Sequence, residues 1–152
     1  MSRHAASITW ARGSARFSDH RYSRRHVWRF DGGVEVPASS SPHSVRLPYS
    51  SEDAVDPEEA FVASIASCHM LWFLSIAAKR GHVVDRYADE AEGFLEKNAD
   101  GAMAMTRVIL HPKIDFDGTA PPPAAEIAAI HEAAHEACFI ANSVKTDIRI
   151  AA

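Results

Sequence analysis

Apolar and polar residues follow a strand-like pattern in the first part of the chain. Residues 7–37 read as strands, and the turn Asp31-Gly32-Gly33 predicts a β-hairpin that leads into Val34-Glu35-Val36. Residues 38–54 hold six serines and two prolines, too many turn formers for a regular element. We therefore expect strands and then a loop before the first helix.

A long helix with clear end signals follows this loop. Asp56 is a good N-cap, Pro57 suits the first helical position, and Glu59 can reach back to the cap. The helix is expected to end at Gly81, just after two cations at 79–80. Small residues in its early turns let another backbone approach closely, which predicts packing against a second helix. These residues are Ala60, Ala63, Ser64, Ala66 and Ser67.

The rest of the chain returns to strands and ends with a helix and a strand. Strands are predicted at about 82–87, 90–96 and 105–114, a helix at 124–138 and a last strand at 143–150. The predicted order is therefore strands, helix, strands, helix and strand, which is typical of an α+β fold. The 152 residues and 47% apolar composition fit one domain over residues 1–152.

Charge and hydropathy narrow the functional classes. Residues 60–78 carry no charge and are long enough to cross a bilayer, but they hold His69 and many Ala and Ser, so we read them as the central helix of a soluble fold. The net charge of −4 argues against nucleic acid and anionic membranes as partners. The N-terminus lacks the apolar region that secretion needs, so we expect a cytoplasmic protein.

The two cysteines, Cys68 and Cys138, lie in separate helical contexts. Cytoplasmic thiols stay reduced unless their oxidation is the chemistry, so the pair suggests a redox couple. A buried cysteine in an apolar helix is otherwise usually an inert small hydrophobe. A reactive thiolate this far from the positive helix end needs a nearby cation, and the arginine-rich segment before the helix could supply it.

Glu58 is the next candidate for the site. Its ordinary interpretation is a first-turn carboxylate stabilised by the helix dipole. Ten helical residues separate it from Cys68, about 15 Å along the axis at about 1.5 Å per residue. If both residues are catalytic, Glu58 must come from another subunit, with two such helices antiparallel across a dyad.

A competing pattern is His131-Glu132-Ala133-Ala134-His135, which matches the H-E-x-x-H zinc signature. It predicts a metal-binding hydrolase, with Cys138 on the same helical face as a possible further ligand. The usual third ligand of such sites is missing, because the metzincin position is Ala141. We therefore expect no metal and no cofactor.

Two stretches resemble one known family. The run from Asp56 to Gly93, with Asp-Pro-Glu-Glu, Ser-Cys-His-Met and Asp-Glu-Ala-Glu-Gly, resembles the OsmC/Ohr family of hydroperoxide-reducing proteins. The second-cysteine segment Cys138-Phe139-Ile140-Ala141-Asn142-Ser143 resembles it too. The likeness covers most of the chain from about Tyr22 onward.

The resemblance implies an OsmC-like fold, with antiparallel sheets around a long central cysteine-bearing helix, in an intertwined homodimer. It implies a thiol peroxidase in which Cys68 becomes a sulfenic acid, Cys138 resolves it and a dithiol reductant restores both. Glu58 matches the family's active-site glutamate, which pairs with an arginine. Arg24 is the favoured arginine and Arg25 the alternative, since neighbouring strand residues face opposite ways.

The residues near Cys68 suggest the kind of substrate. Phe61, Ile65 and Trp72 are apolar and would suit an organic hydroperoxide better than hydrogen peroxide. A non-catalytic module that binds a small ligand in the same apolar groove is the alternative, with its thiols incidental.

Overall fold

The computed structural model describes residues 1–118 and 121–151. Contacts between residues divide the chain into two compact units, Met1–Ala60 and Phe61–Ala152. The boundary falls inside the long helix, so the N-terminal unit contains only that helix's first turn.

A three-stranded antiparallel sheet forms the regular part of the N-terminal unit. Its strands, in spatial order, are β1 (Ala6–Thr9), β2 (His26–Phe30) and β3 (Glu35–Ala38). The predicted hairpin is confirmed: Trp28 lies opposite Val36, and Gly33 turns the chain with φ of +87°.

Residues 10–25 form no strand, which corrects the expectation of strands throughout 7–37. This segment is organised by aromatic contacts instead of a ladder. Tyr22 stacks on Phe17 with ring centroids 4.6 Å apart, and Trp10 packs against both rings. The Trp10 indole N–H donates to the Ser23 carbonyl at 2.9 Å. Packing of large rings has replaced the strand that local alternation predicted.

The long helix, α1, spans Pro57–Lys79, and both predicted ends are confirmed. Its first turn is capped by Asp56 Oδ1, which accepts the Glu59 backbone N–H at 2.8 Å. At the other end Gly81 takes φ of +84°, and the His82 N–H reaches back to the Ala77 carbonyl at 2.9 Å.

Within its described residues the second unit adds five strands and a second α-helix. They are β4 (Val84–Asp89), β5 (Glu92–Lys97), β6 (Met103–Leu110), β7 (Pro112–Phe116), α2 (Ala124–Ala137) and β8 (Asp147–Ile150). The α+β class is confirmed, since two helices accompany separate sheets.

The resemblance implies antiparallel sheets, but one pair of strands in this unit is parallel. β4 pairs with β7, and β5 with β6, in antiparallel fashion, but β8 runs parallel to β6. Parallel neighbours need a long crossover connection, and β7 and α2 lie between these two strands in the chain. A strand's direction depends on that connection, which its own residues do not encode.

Two apolar clusters bury the inner face of α1 in this unit. Phe73 and Ala77 pack with Ile130 and Ala134 of α2, and Ile65 packs with the sheet residues Val108 and Leu110. The small residues of the early turns of α1 predict that a second helix packs there. The contact with α2 instead involves Phe73 and Ala77, in later turns.

By length and composition α1 could also span a membrane. Core helices pass the same test, and Ile65, Phe73 and Ala77 are fully buried inside the unit.

Gly93 on β5 allows α1 to lie close to the sheet. A Cβ at this position would collide with the Val62 and Met105 side chains. The φ of Gly93 is not positive, so the backbone conformation does not require glycine. The close packing of the Val62 and Met105 side chains does.

Candidate active site

The two cysteines of the chain are neighbours in the second unit, and both are free thiols. Cys68 lies mid-helix on α1 and is half-buried, whereas Cys138 follows the last turn of α2 with 1% of its surface exposed. The Ala141 backbone N–H donates to Cys138 Sγ at 3.4 Å. Burial raises the pKa of the Cys138 thiol, and the adjacent Cys68 side chain raises it further. Cys138 is thus held as a protonated thiol beside a more accessible one.

An open apolar pocket of about 280 Å³ borders Cys68. Its lining residues are Cys68, Leu71, Trp72, Ser75 and Phe139. The four residues on α1 follow the i, i+3, i+4, i+7 spacing of one helical face. Phe139 meets Trp72 edge to face, with ring centroids 5.3 Å apart, so the residue after Cys138 closes one side of the pocket.

Of the three residues expected to contact substrate, Trp72 lines this pocket. Ile65 is fully buried against Val108 and Leu110, and Phe61 packs on the same cluster. The inner face of α1 repeats every four residues and passes through Ile65, which points about 60° around the helix axis from Cys68. Sequence reasoning missed Leu71 and Phe139, which the helical spacing and the position after Cys138 could have indicated.

Arg24 lies in the N-terminal unit just before β2. Its guanidinium donates to the His20 and Tyr22 carbonyls and stacks over the Tyr22 ring, 3.7 Å from the centroid. Within residues 1–118 and 121–151, no carboxylate forms an ion pair with Arg24. Its charge is oriented by neutral groups and is not cancelled by a partner.

Arg25 is bound differently in the same unit. Its guanidinium pairs with Asp53 at 2.7 Å and also donates to Ser51. The hydrogen bond from the Ser51 hydroxyl, and then the Arg25 guanidinium, lower the pKa of Asp53. Both arginines precede the strand, so the alternation of strand residues does not decide which of them faces a site.

Glu58 occupies the first turn of α1, as predicted, and is half-buried in the N-terminal unit. Its neighbour Glu59 has a pKa raised to about 7, chiefly by the close Asp56 carboxyl. Glu59 is thus partly protonated near neutral pH, and the remaining negative charge of the first turn, on Asp56 and Glu58, would attract an arginine.

One histidine of the pattern on α2 contributes to a buried pair of histidine rings. His131 Nδ1 lies 3.0 Å from His69 Nε2, and the planes of the two buried rings are nearly parallel, with 9° between them. Burial, and then the nearby His131 and His135, lower the pKa of His69 to about 4; burial also lowers the pKa of His131. In the described part of the chain no three metal-ligating side chains cluster. No local pattern indicated that His69 was the partner, since 62 residues separate the pair.

The chain belongs to the OsmC-like family. The family model described as OsmC-like protein matches residues 50–152, which hold both cysteines, Glu58 and α1. The mixed α+β fold with two helices and several sheets is the OsmC-like fold.

Solved structures agree with this assignment. An OsmC-like protein of unknown function from Vibrio cholerae is 51% identical, with a TM-score of 0.97 over 99% of each chain. The organic hydroperoxide resistance protein OhrB of Bacillus subtilis is 17% identical, with a TM-score of 0.69 over 98% of this chain and 96% of its own. An organic hydroperoxide resistance protein from Elizabethkingia anophelis is also 17% identical, with a TM-score of 0.71 over 99% and 93%. No curated protein matches the chain.

Proposed function

We propose that this protein is a thiol peroxidase that reduces organic hydroperoxides. The observation that carries the proposal is the contact between an accessible cysteine, Cys68, and a buried one, Cys138, at the edge of an apolar pocket. The names of the Bacillus and Elizabethkingia structures point to the same chemistry, although at 17% identity they establish only the shared fold.

Two steps would oxidise the enzyme. The Cys68 thiolate attacks the distal peroxide oxygen, an S–O bond forms, the O–O bond breaks, and the alkoxide leaves and takes a proton to become the alcohol. The Cys138 thiol then attacks the sulfenic sulfur of Cys68, which forms the disulfide and releases water. A dithiol reductant returns both residues to thiols and is itself oxidised to a disulfide.

Arg24 and Glu58 would support the first step. A guanidinium near Cys68 stabilises the thiolate and the oxygen that leaves as an anion, and a carboxylate holds that guanidinium in position. Arg24 suits this role because its charge is not paired with a described carboxylate, whereas Arg25 is paired with Asp53.

The pocket supports a substrate with an apolar organic group. Trp72 and Phe139 offer aromatic surface beside Cys68, and Leu71 extends it. Phe61 and Ile65, which we also proposed from the sequence, would act by shaping the core behind the pocket.

We further propose that the chain works as one domain in a cytoplasmic homodimer.

The proposal is tested by replacing each cysteine. Cys68→Ser should abolish consumption of cumene hydroperoxide, because a hydroxyl cannot form a sulfenic acid. Cys138→Ser should still let Cys68 oxidise in a single turnover but should stall steady-state turnover with dithiothreitol. Both outcomes are read by peroxide consumption and by mass spectrometry of the oxidised protein.

Equal peroxide consumption by the wild type and Cys68→Ser would contradict the peroxidase proposal. Wild-type protein that binds apolar ligands in the pocket but consumes no peroxide would favour the binding-module alternative. Hydrogen peroxide serves as the matched substrate, and we expect it to react more slowly than cumene hydroperoxide.

A further inference from the structure

The buried histidine pair joins the two helices that carry the cysteines. His69 directly follows Cys68 on α1, and His131 precedes Cys138 by seven residues, about two helical turns, on α2. His69 is 1% exposed and His131 is 7% exposed. The Phe73 ring packs against His131, with ring centroids 4.4 Å apart. The proposed peroxide chemistry makes no direct use of either ring.

The hydrogen bond between the rings has a preferred direction. The other nitrogen of His69, Nδ1, is buried and has no partner among the described residues. If His131 donated, neutral His69 would carry its own proton on this nitrogen, as a buried N–H without an acceptor. Orphaned buried N–H groups are rarer than under-satisfied acceptors. His69 Nε2–H is therefore the donor and His131 Nδ1 the acceptor, with both rings neutral.

We propose that the His69–His131 hydrogen bond is a positioning device that sets the register of α1 against α2 and so holds Cys138 against Cys68. This inference rests on the proposed function, because it concerns the resolving step. In that step Cys138 Sγ must reach the sulfenic sulfur in line as water leaves, so a small sliding of one helix would lower the effective concentration of the thiol. The apolar contacts of Phe73 and Ala77 hold the helices together but do not by themselves fix one register.

The test measures the equilibrium of the cysteine pair in glutathione buffers, in which the protein dithiol and one oxidised glutathione give the protein disulfide and two reduced glutathiones. His131→Leu breaks the bond and should shift this equilibrium at least about tenfold toward the dithiol, about 30 mV for a two-electron couple. His131→Asn keeps an acceptor near the Nδ1 position and His69→Gln keeps a donor near Nε2, so both should stay close to wild type.

A double variant separates positioning from stability. Replacing both histidines by leucine removes both polar groups, which restores stability more fully than the single change. We expect the double variant to fold, by circular dichroism and thermal melting, yet to keep the tenfold shift. His135→Gln, on the same helix outside the pair, is the matched control and should leave the equilibrium unchanged. A double variant with the wild-type equilibrium would overturn the proposal, as would a wild type that forms no Cys68–Cys138 disulfide.

The glutathione equilibrium involves no peroxide, so the two proposals fail in different ways. Disulfide formation with the expected variant pattern, but no peroxide consumption, would overturn the peroxidase proposal and leave the positioning role standing. Normal peroxide turnover in the double variant, with an unshifted glutathione equilibrium, would overturn the positioning role and leave the peroxidase proposal standing.

Discussion

At the scale of single residues, Cys68 and Cys138 are distinguished by their surroundings. Cys68 borders the pocket, and Cys138 is buried with its Sγ accepting the Ala141 N–H. The buried thiol has a raised pKa and is a poor first nucleophile, although after it gives its proton to the departing hydroxyl it can attack a neighbouring sulfenic sulfur at short range. We therefore propose Cys68 as the residue that peroxide oxidises and Cys138 as the resolving thiol.

The same scale offers a test of the two arginines. Arg24→Ala should slow the oxidation of Cys68 by cumene hydroperoxide at least about tenfold, because an oriented charge near a developing anion is lost. Arg25→Ala removes an exposed ion pair with Asp53, of little energetic value, and should change the rate less than about twofold. The measurement is the second-order rate constant from stopped-flow fluorescence.

Arg24→Lys is the conservative control for this prediction. It keeps the charge but loses the planar stacking on Tyr22, so its rate should fall between wild type and Arg24→Ala. If Arg25→Ala is the slower variant, Arg25 serves the site and the assignment to Arg24 is wrong.

At the scale of secondary-structure elements, the contact between α1 and α2 combines apolar packing with one buried polar bond. Phe73, Ala77, Ile130 and Ala134 contribute apolar burial, and the histidine pair adds direction. An apolar interface tolerates small shifts, but a hydrogen bond is lost when its atoms separate by about an ångström beyond its usual range.

This contact predicts a dependence of stability on pH. The pKa of His69 is about 4 in the folded protein, against about 6.5 when unfolded, because burial disfavours the charged ring. Between these values the unfolded chain binds a proton that the folded chain does not, so the free energy of unfolding falls as pH falls from about 6.5 to 4. The total loss from this group has an upper limit of about 3 kcal/mol.

Urea denaturation at pH 7, 6 and 5 measures this effect. His69→Gln keeps the donor but cannot titrate, so its stability should fall less over the same interval, with carboxylate titration common to both proteins. Parallel pH curves for the wild type and the variant would show that His69 does not cause the acid loss.

At the scale of the whole molecule, the outer face of α1 needs cover. Between its first and last turns the exposed positions repeat every four residues and are uncharged: Ala63, Ser67, Leu71 and Ser75. Leu71 is 60% exposed and Phe139 is 69% exposed. Small residues at this spacing favour close approach of a second helix, and a second copy of the chain is the partner that we propose.

We therefore predict a homodimer of about twice 16.6 kDa by light scattering at micromolar concentration. Ala63→Arg places a charge on the exposed face of α1, away from the pocket, and should shift the protein to monomers because an unpaired charge would be buried. Glu132→Arg, at an exposed position of α2, is the control and should remain dimeric. A monomeric wild type would refute the dimer and remove the subunit route by which Glu58 was expected to reach Cys68.

The sequence by itself determined the local features of this protein. Asp56 and Gly81 mark the ends of α1 because capping depends on residues within one turn, and the turn before Val34 sets the hairpin because its glycines permit that backbone. The spacing of residues around Cys68 likewise follows from helical geometry. Family likeness then identified both cysteines.

Only the tertiary structure decided the features that join distant parts of the chain. α1 is apolar on all sides, so its periodicity could not tell that Ile65 faces the core while Leu71 faces the pocket. The parallel pairing of β8 with β6 and the bond between His69 and His131 each depend on where a long connection returns. Contacts between residues far apart in the chain depend on packing of the whole unit, which no local pattern encodes.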